Sequence, residues 1–268
     1  MTVTDVTVGS DVEFFLRNRQ SKSFVSAEPY VPGTKYEPVR FDPAEPFFAT
    51  QLDNILAEGN IPPARSAVEF SRHLRRLREH LQTLIPADLE LAAVAGGLVP
   101  LDQLQSEVSK TFGCDPSYNA WSLQVEPTPT LTADNEAFRC AGFHVHIGYT
   151  RPSVETNIAL ARAMDLYLGV PSVLRSEKVE KDRRSFGYGR SGNFRHQQHG
   201  VEYRSLSSAM VDHAEWAYRA ALQAVSAVNK GMSASIMANA SHIQAAVNDI
   251  DKHTALWLVE MFGLEVPA

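Results

Sequence analysis

The chain has 268 residues, 44% of them hydrophobic and 21% charged, a composition that supports a buried core and argues against extended disorder. Its formal net charge is −6, so no global electrostatic preference for nucleic acid or an anionic membrane is indicated. The two cysteines, Cys114 and Cys140, form neither a disulfide framework nor a CxxC zinc pair, there is no apolar run long enough to span a membrane, and the N-terminus does not read as a secretion signal.

Residues 3–17 read as a strand, with Val6, Val8, Val12, Phe14 and Leu16 supplying β-branched and aromatic character. The proline-rich stretch 28–46 reads as an irregular connector, followed by a short strand near 47–58. Pro62 and Pro63 open a helix over about 64–84, with an apolar stripe of Val68, Leu74, Leu77, Leu81 and Leu84. Further along, 88–95 reads as a strand, 101–109 as a short helix and Gly113–Pro116 as a turn. Strands are expected at 120–126 and 138–149, and a helix at 153–169. The Arg- and Gly-rich residues 178–198 read as a loop and 199–206 as a strand. Beyond about 210 the chain reads as helical, with breaks near Gly231 and Asp249. Strands and helices do not alternate strictly, so an α+β fold with an antiparallel sheet fits better than a doubly wound one.

Three strand-like segments carry functional residues two apart: Asp11 and Glu13 around Val12, His144 and His146 around Val145, Glu202 and Arg204 around Tyr203. Alternate residues of a strand share a face. Each segment thus presents charged or metal-binding groups on one side and Val12, Phe14, Phe143, Val145, Ile147, Val201 or Tyr203 on the other. One such pair is ordinary for a sheet with a solvated face. Three pairs restricted to carboxylate, imidazole and guanidinium are the groups that hold divalent metal and phosphate. Glu58, at the end of a short apolar stretch, adds a further carboxylate, and Asp53 before it reads equally as a cap.

The segment EKVEKDRRSFGYGRSGNFR interleaves Arg183, Arg184, Arg190 and Arg195 with Gly187, Gly189 and Gly192. Glycines allow close backbone approach to a ligand, and guanidinium forks match phosphate oxygens. A flexible basic loop and an RNA-binding patch are the other readings of such a stretch. Its direct run into the Glu202/Arg204 strand favours a phosphate clamp. The chain has no GxxxxGK[ST] motif, which excludes a Walker-type nucleotide site, and no GxSxG elbow.

Taken together, GSDVEFF (9–15), DNILAEGNIPPA (53–64), FGCDPSYNAW (112–121), RCAGFHVHIGY (139–149), RRSFGYGRSGNFR (183–195) and GVEYRSLS (200–207) resemble the motifs of phage-type COOH–NH2 ligases, relatives of glutamate–cysteine ligase and glutamine synthetase. The resemblance implies a curved antiparallel sheet, a glutamine synthetase-like funnel, with helices on its outer face, in a single catalytic domain over 1–268 whose part beyond 207 is helical. It implies Asp11, Glu13, Glu58, His146 and Glu202 as metal ligands. Arg184, Arg190, Arg195 and Arg204 are implied at ATP, with Glu13, Arg195 and Arg204 closest to the chemistry and His144 at the substrate. Phe143 stands where the family carries a small residue, and no aromatic follows ExR.

The implied reaction makes an amide. A carboxylate repels nucleophiles at neutral pH, so ATP first phosphorylates it, and an amine then attacks the acyl phosphate. Phosphoryl transfer is mostly positioning and charge neutralisation. Mg²⁺ prefers hard oxygen donors, and Mn²⁺ tolerates the imidazole better. The implied partners are small-molecule or peptide acids and amines, in a cytoplasmic setting, that of the host cell if the chain is phage-encoded; a homo-oligomer sharing sites across subunits fits such a sheet. A metal-dependent hydrolase using His144 and His146, and an inactive ligase-like nucleotide-binding protein, are the rival readings; ATP dependence separates them.

Overall fold

Alternation of side chains builds the sheet. In a computed structural model that describes residues 2–110, 116–127, 129, 132 and 135–268, the longest strand, β1 (Thr7–Asn18), buries Val8, Val12, Phe14 and Leu16 on one face. The other strands are β2 (Phe24–Val25), β3 (Val39–Arg40), β4 (Ala49–Asp53), β5 (Leu56–Ala64), β6 (Leu89–Ala92), β7 (Gly96–Leu98), β8 (Ser117–Asn119), β9 (Val125–Glu126), β10 (Phe138–Cys140), β11 (Phe143–Gly148), β12 (Asn193–Gln197) and β13 (Gly200–Tyr203). The main sheet runs β3-β4-β5-β1-β11-β13-β12-β8-β9, with β2 and β6 pairing the far end of β1, and β7 and β10 form a separate pair. Every pairing is antiparallel.

The helices are α1 (Ala67–Leu84), α2 (Val154–Met164), α3 (Val170–Val173), α4 (Lys178–Phe186), α5 (Ala214–Asn229), α6 (Ser233–Ala238), α7 (Ala240–Asp249) and α8 (Lys252–Phe262). Phe70, Leu74, Leu77 and Leu81 of α1 join Val12, Phe14, Phe143, Val145, Ile147, Val201 and Tyr203 of the sheet, and Trp216 and Ala217 of α5, in one apolar core that extends from Val3 to Leu264. The polar partners of those strand residues therefore face the other way. At the end of that second face Phe15, Ile55, Leu56, Ala92 and Ala141 form a smaller apolar cluster, which closes it off. The fold is α+β with an antiparallel sheet, as the motif order implies, and no described helix is long and apolar enough to cross a membrane.

Several elements differ from the sequence expectation, each for a local reason. Pro62 and Pro63 do not open a helix; they continue β5. Between Val8 and Ser10 the pairing advances two residues on β1 while β5 advances three, from Ala64 to Ile61. The prolines fall in this bulge, past the last pair with β4 at Ala49 and Asn60, where no ladder donor is needed. The helix starts at Ala67, where the Ser66 side chain accepts from Glu69 N and Glu69 accepts from Arg65 N. Its stripe is set by Phe70 rather than Val68, which is exposed. The strand near 47–58 is a hairpin, β4–β5, turned at Asn54 with φ 56°. Residues 101–109 give only a 3-10 turn at Leu101–Gln103, 120–126 is the tail of the β8–β9 hairpin, and 138–149 is broken at Ala141 and Gly142. The helix at 153–169 ends in a π-helical turn over Asp165–Gly169. Residues 113–115 of the expected turn, Cys114 among them, lie outside the described residues.

The largest correction concerns 178–198, which is a helix, a turn and strand β12 rather than a loop. Glu180 lies 3.7 Å from both Arg183 and Arg184, at helical spacing, and Gly187 at φ 107° stops the helix. Arg184 is only 4% exposed and does not line the wide cavity described below. Its guanidinium donates to the carbonyls of Ser205 at 2.8 Å and Val247 at 3.3 Å. Arg184→Ala is therefore expected to destabilise the fold by about 3 kcal/mol, as loss of one member of a buried charge network does. Chemical denaturation reads this directly; unchanged stability with weakened nucleotide binding would return Arg184 to the phosphate clamp.

Candidate active site

Register brings the predicted side chains together. Asp11 lies opposite His144, His146 opposite Glu202, and Glu202 opposite Arg195. On the other flank of β1, Glu13 faces Glu58, which in turn faces Gln51. With Arg204 two residues beyond Glu202, these groups line one open cavity of about 630 Å³. The pairs Asp11/Glu13, His144/His146 and Glu202/Arg204 are thus gathered as the i, i+2 spacing predicts, and Glu58 and Arg195 join them on the same cavity wall. Arg184 is absent for the reason given above. Arg190 is exposed, donates from Nε to the Arg184 carbonyl at 3.1 Å, and does not line the cavity.

The site divides into two halves. In the first, Asp11 sits between two imidazoles: His144 Nδ1 is 3.0 Å from Oδ2, and His146 Nε2 contacts Oδ1. Glu202 accepts from Arg204 Nη1 and, at 2.5 Å, from Gln197 Nε2, with Arg195 Nη1 at 3.6 Å. Asp11, His146 and Glu202 each offer a ligand atom, and these atoms lie within 4.8 Å of one another. Two hard oxygens and one imidazole suit a divalent cation that accepts nitrogen. In the second half, Glu13 Oε2 accepts from Gly142 N at 2.6 Å and Glu58 Oε2 from Gln51 Nε2 at 2.7 Å. A Cβ on Gly142 would meet His144 Nε2 at 2.5 Å, so only glycine brings that amide to Glu13. The five expected metal ligands therefore fall into a group of three and a neighbouring pair.

The electrostatics of the halves are opposite. Burial raises the Asp11 carboxyl, but the charges and hydrogen bonds of His144 and His146 outweigh it and hold Asp11 well below its usual range. Burial likewise opposes ionisation of Glu202, yet Arg204 and the two histidines bring it down to about 2. His144 is lowered, by burial first and Arg204 second, whereas the Asp11 charge raises His146 against its burial. Glu13 is pushed up to about 8 by burial and then by Asp53. Glu58 and Asp53 are also raised, burial being the main cause, and Asp53 and Asp11 add to the effect at Glu58. This half carries more negative charge than the protein itself neutralises.

Sequence reasoning missed Asp53 as a member of this cluster, together with Gln51, Gln197, His199, whose ring stacks on His146 at 5.5 Å, and Asn193. Gln51 and Asp53 share the i, i+2 spacing on β4, which is the signal that could have found them. The same spacing links Asn193, Arg195 and Gln197 once β12 is a strand.

A carboxyl raised by folding binds its proton more tightly in the native chain, so stability falls as pH rises between 4.5 and about 8, the unfolded and folded values for Glu13. Metal-free Glu13→Gln lacks this penalty. It should match wild type near pH 5 and exceed it at pH 8 by roughly 1–3 kcal/mol, and added divalent cation should narrow the gap. Thermal melts in chelator at the two pH values check this; parallel pH dependences would show that Glu13 is not the strained carboxyl.

Residues 132–255 match the family model described as phage phiEco32-like COOH.NH2 ligase-type 2. This segment holds His144, His146, Arg195, Glu202 and Arg204, and it extends through α7 into α8, where the sequence motifs stop at 207. Asp11, Glu13 and Glu58 lie before it. No curated protein matches the chain. Among solved structures, the crystal structure of a bifunctional glutathione synthetase from Pasteurella multocida is similar at TM-score 0.44 and 11% identity, over 96% of this chain and 49% of that one. The chain thus spans about half the length of that protein. Over residues 132–255, a little under half of its length, the chain is similar to the phage-type COOH–NH2 ligases.

Proposed function

We propose that the chain is an ATP-dependent carboxylate–amine ligase, working through an acyl phosphate with Mg²⁺, for which Mn²⁺ can substitute. The observation that carries this reading is the placement of Asp11, His146 and Glu202 within 4.8 Å of one another, beside Arg195 and Arg204, on the wall of a cavity large enough for a nucleotide and a second substrate. In the reaction the acid's oxygen takes the γ-phosphoryl group and ADP leaves. The amine nitrogen then bonds to the acyl carbon, the C–O bond to phosphate breaks, and phosphate and a proton depart.

Asp11, His146 and Glu202 would hold one metal ion, and Glu13 with Glu58 a neighbouring one. A divalent ion in such a site neutralises phosphate oxygens. Arg195, half-buried at the cavity wall, would contact a phosphoryl group. Arg204 is fixed against Glu202 and lies 3.5 Å from His144, so it aligns the transferring group with the acid substrate. His144 holds Asp11 through Nδ1 and faces the substrate with the rest of its ring. In this reading the domain is one catalytic unit over 1–268, its sheet is curved like that of glutamine synthetase, and the substrates are small-molecule or peptide acids and amines.

A screen of ATP consumption over mixed pools of carboxylates and amines, with mass spectrometry of products, tests the reading. The expected result is ADP, phosphate and a condensed amide in equal amounts. Turnover of a substrate by water alone, without ATP, would replace the ligase by a metal-dependent hydrolase. With a substrate pair in hand, Arg195→Ala should lower kcat/KM for ATP by about 10²-fold or more, with Lys a poor substitute because it lacks the bidentate fork. Full rescue by Lys would reduce the role of Arg195 to one of net charge.

A further inference from the structure

The wide cavity has a side chamber of about 50 Å³, which joins it at Glu13, Asp53, His144 and Arg204 and takes in Asn193 at the start of β12. Such a volume suits a few waters and not a substrate. Selection between substrates therefore falls to the walls of the wide cavity itself.

The strand ladder crosses those walls in one row. Arg40 pairs with Ala49, Ala49 with Asn60, Asn60 with Asp11, and Asp11 with His144. Directly paired residues share a face, and every member of this row lines the wide cavity. Arg40 thus stands three strand spacings from Asp11, about 14 Å along the sheet. Arg195 stands three spacings from β1 on the opposite flank. The site is a strip with a guanidinium at each end and the Asp11, His146 and Glu202 cluster between them.

The Arg40 end is built rather than loose. Phe41 stacks on His80 of α1 at 3.8 Å, and Arg76 of α1 lies 4.9 Å over the Phe48 ring and pairs with Asp42 at 2.7 Å. Arg40 and Phe47, one residue before each of these anchored rings, line the cavity instead. Phe47 is 60% exposed. Arg40 is exposed as well, and among the described residues its guanidinium has no hydrogen-bond or ion-pair partner. Arg195, by contrast, lies 3.6 Å from Glu202. An open guanidinium fork and an open aromatic ring on one rim match an anion joined to a flat apolar group.

We propose that the acid substrate carries a second anionic group, a carboxylate or phosphate, attached to a flat apolar part, and that Arg40 and Phe47 receive this end. The proposal rests on the ligase reading and names the substrate class within it. The reacting carboxylate sits at the metal on Asp11, the middle of the molecule passes over the uncharged Ala49 and Asn60, and the fork of Arg40 takes the far anion. The span equals about four residues of extended peptide, so the acid is an elongated one. ATP keeps to the opposite flank, at Arg195 and Arg204. An acid with a single carboxylate and an apolar tail leaves the fork of Arg40 unused, which makes Arg40 a specificity-determining residue.

The test is nuclear magnetic resonance of the full-length, ¹⁵N-labelled chain, titrated with phenyl phosphate and, separately, with phenol. Saturable shifts of the Arg40 Nε–H signal with phenyl phosphate and none with phenol are expected. Both rim positions are exposed, so Arg40→Gln and Phe47→Ser should leave the fold intact. Arg40→Gln, read at the Phe47 backbone amide, should weaken phenyl phosphate about tenfold, the equivalent of one hydrogen bond to a charged group. Phe47→Ser, read at Arg40, should weaken it about threefold, the equivalent of one aromatic contact. An unshifted Arg40, equal shifts with phenol, or unchanged affinity in Arg40→Gln would overturn the assignment. Binding of ATP with Mg²⁺ is measured on wild type and on Arg40→Gln. Weaker ATP binding in the variant would move Arg40 to the nucleotide and overturn the proposal. Absence of ATP binding to wild type would instead remove the ligase reading and leave the anion site to stand or fall by the phenyl phosphate result.

Discussion

Confinement of like charges governs this molecule. Glu13, Asp53 and Glu58 are gathered beside Asp11 on one sheet face, and each is disfavoured as an anion by its burial. Nothing local would choose this arrangement. It is imposed from the opposite face, where Val12, Phe14, Phe143, Val145 and Val201 are fully buried against the helices. Burying those side chains stabilises the sheet by roughly 1.5–3 kcal/mol each, enough to hold a polar face that is unfavourable by itself. The strand period then leaves the carboxylates no other direction. A cation brought to such a face would relieve this repulsion, so that ligand binding and stability would be linked.

Support also comes from behind the sheet. Asp165, fully buried in the π-helical turn after α2, accepts from Trp121 Nε1 at 2.6 Å, Ser191 Oγ at 2.6 Å and Tyr203 OH at 2.7 Å. Tyr203 lies between Glu202 and Arg204, and Ser191 lies two residues before Asn193. One carboxylate in the helical layer thereby ties together the segments that carry both cavities' polar residues. Asp165 is the first residue of that π-helical turn, and such turns commonly mark functional positions.

How much of this could be read from the chain itself follows from the kind of signal each part sends. The Asp11/Glu13, His144/His146 and Glu202/Arg204 pairs are written at the strand period, and they are found on one face as that period requires. Residues whose signal depends on a correct element were lost with the element. Asn193 and Gln197 became visible only once β12 was a strand, and Arg184 turned from an open loop into a buried position once its segment was a helix with Glu180 one turn away. Glycines and arginines described a loop equally well. The difference lay in tertiary partners, the carbonyls of Ser205 and Val247, which sequence spacing does not reveal. Pro62 and Pro63 misled similarly, because a bulge removes the ladder donors that prolines lack, and a bulge is a property of two strands.

β12 has one consequence that concerns the history and engineering of the chain. Its Asn193, Arg195 and Gln197 serve two cavities in steps of two residues, with Phe194 packed into the core between them. The strand therefore acts as a ruler whose only valid unit is a pair. Loss or gain of a single codon between Ser191 and Gln197 would turn Phe194 toward the ligands and the polar trio toward the apolar layer in one stroke. Variation by length is thus closed to this segment, and related chains can explore new substrates here only by exchanging one side chain for another.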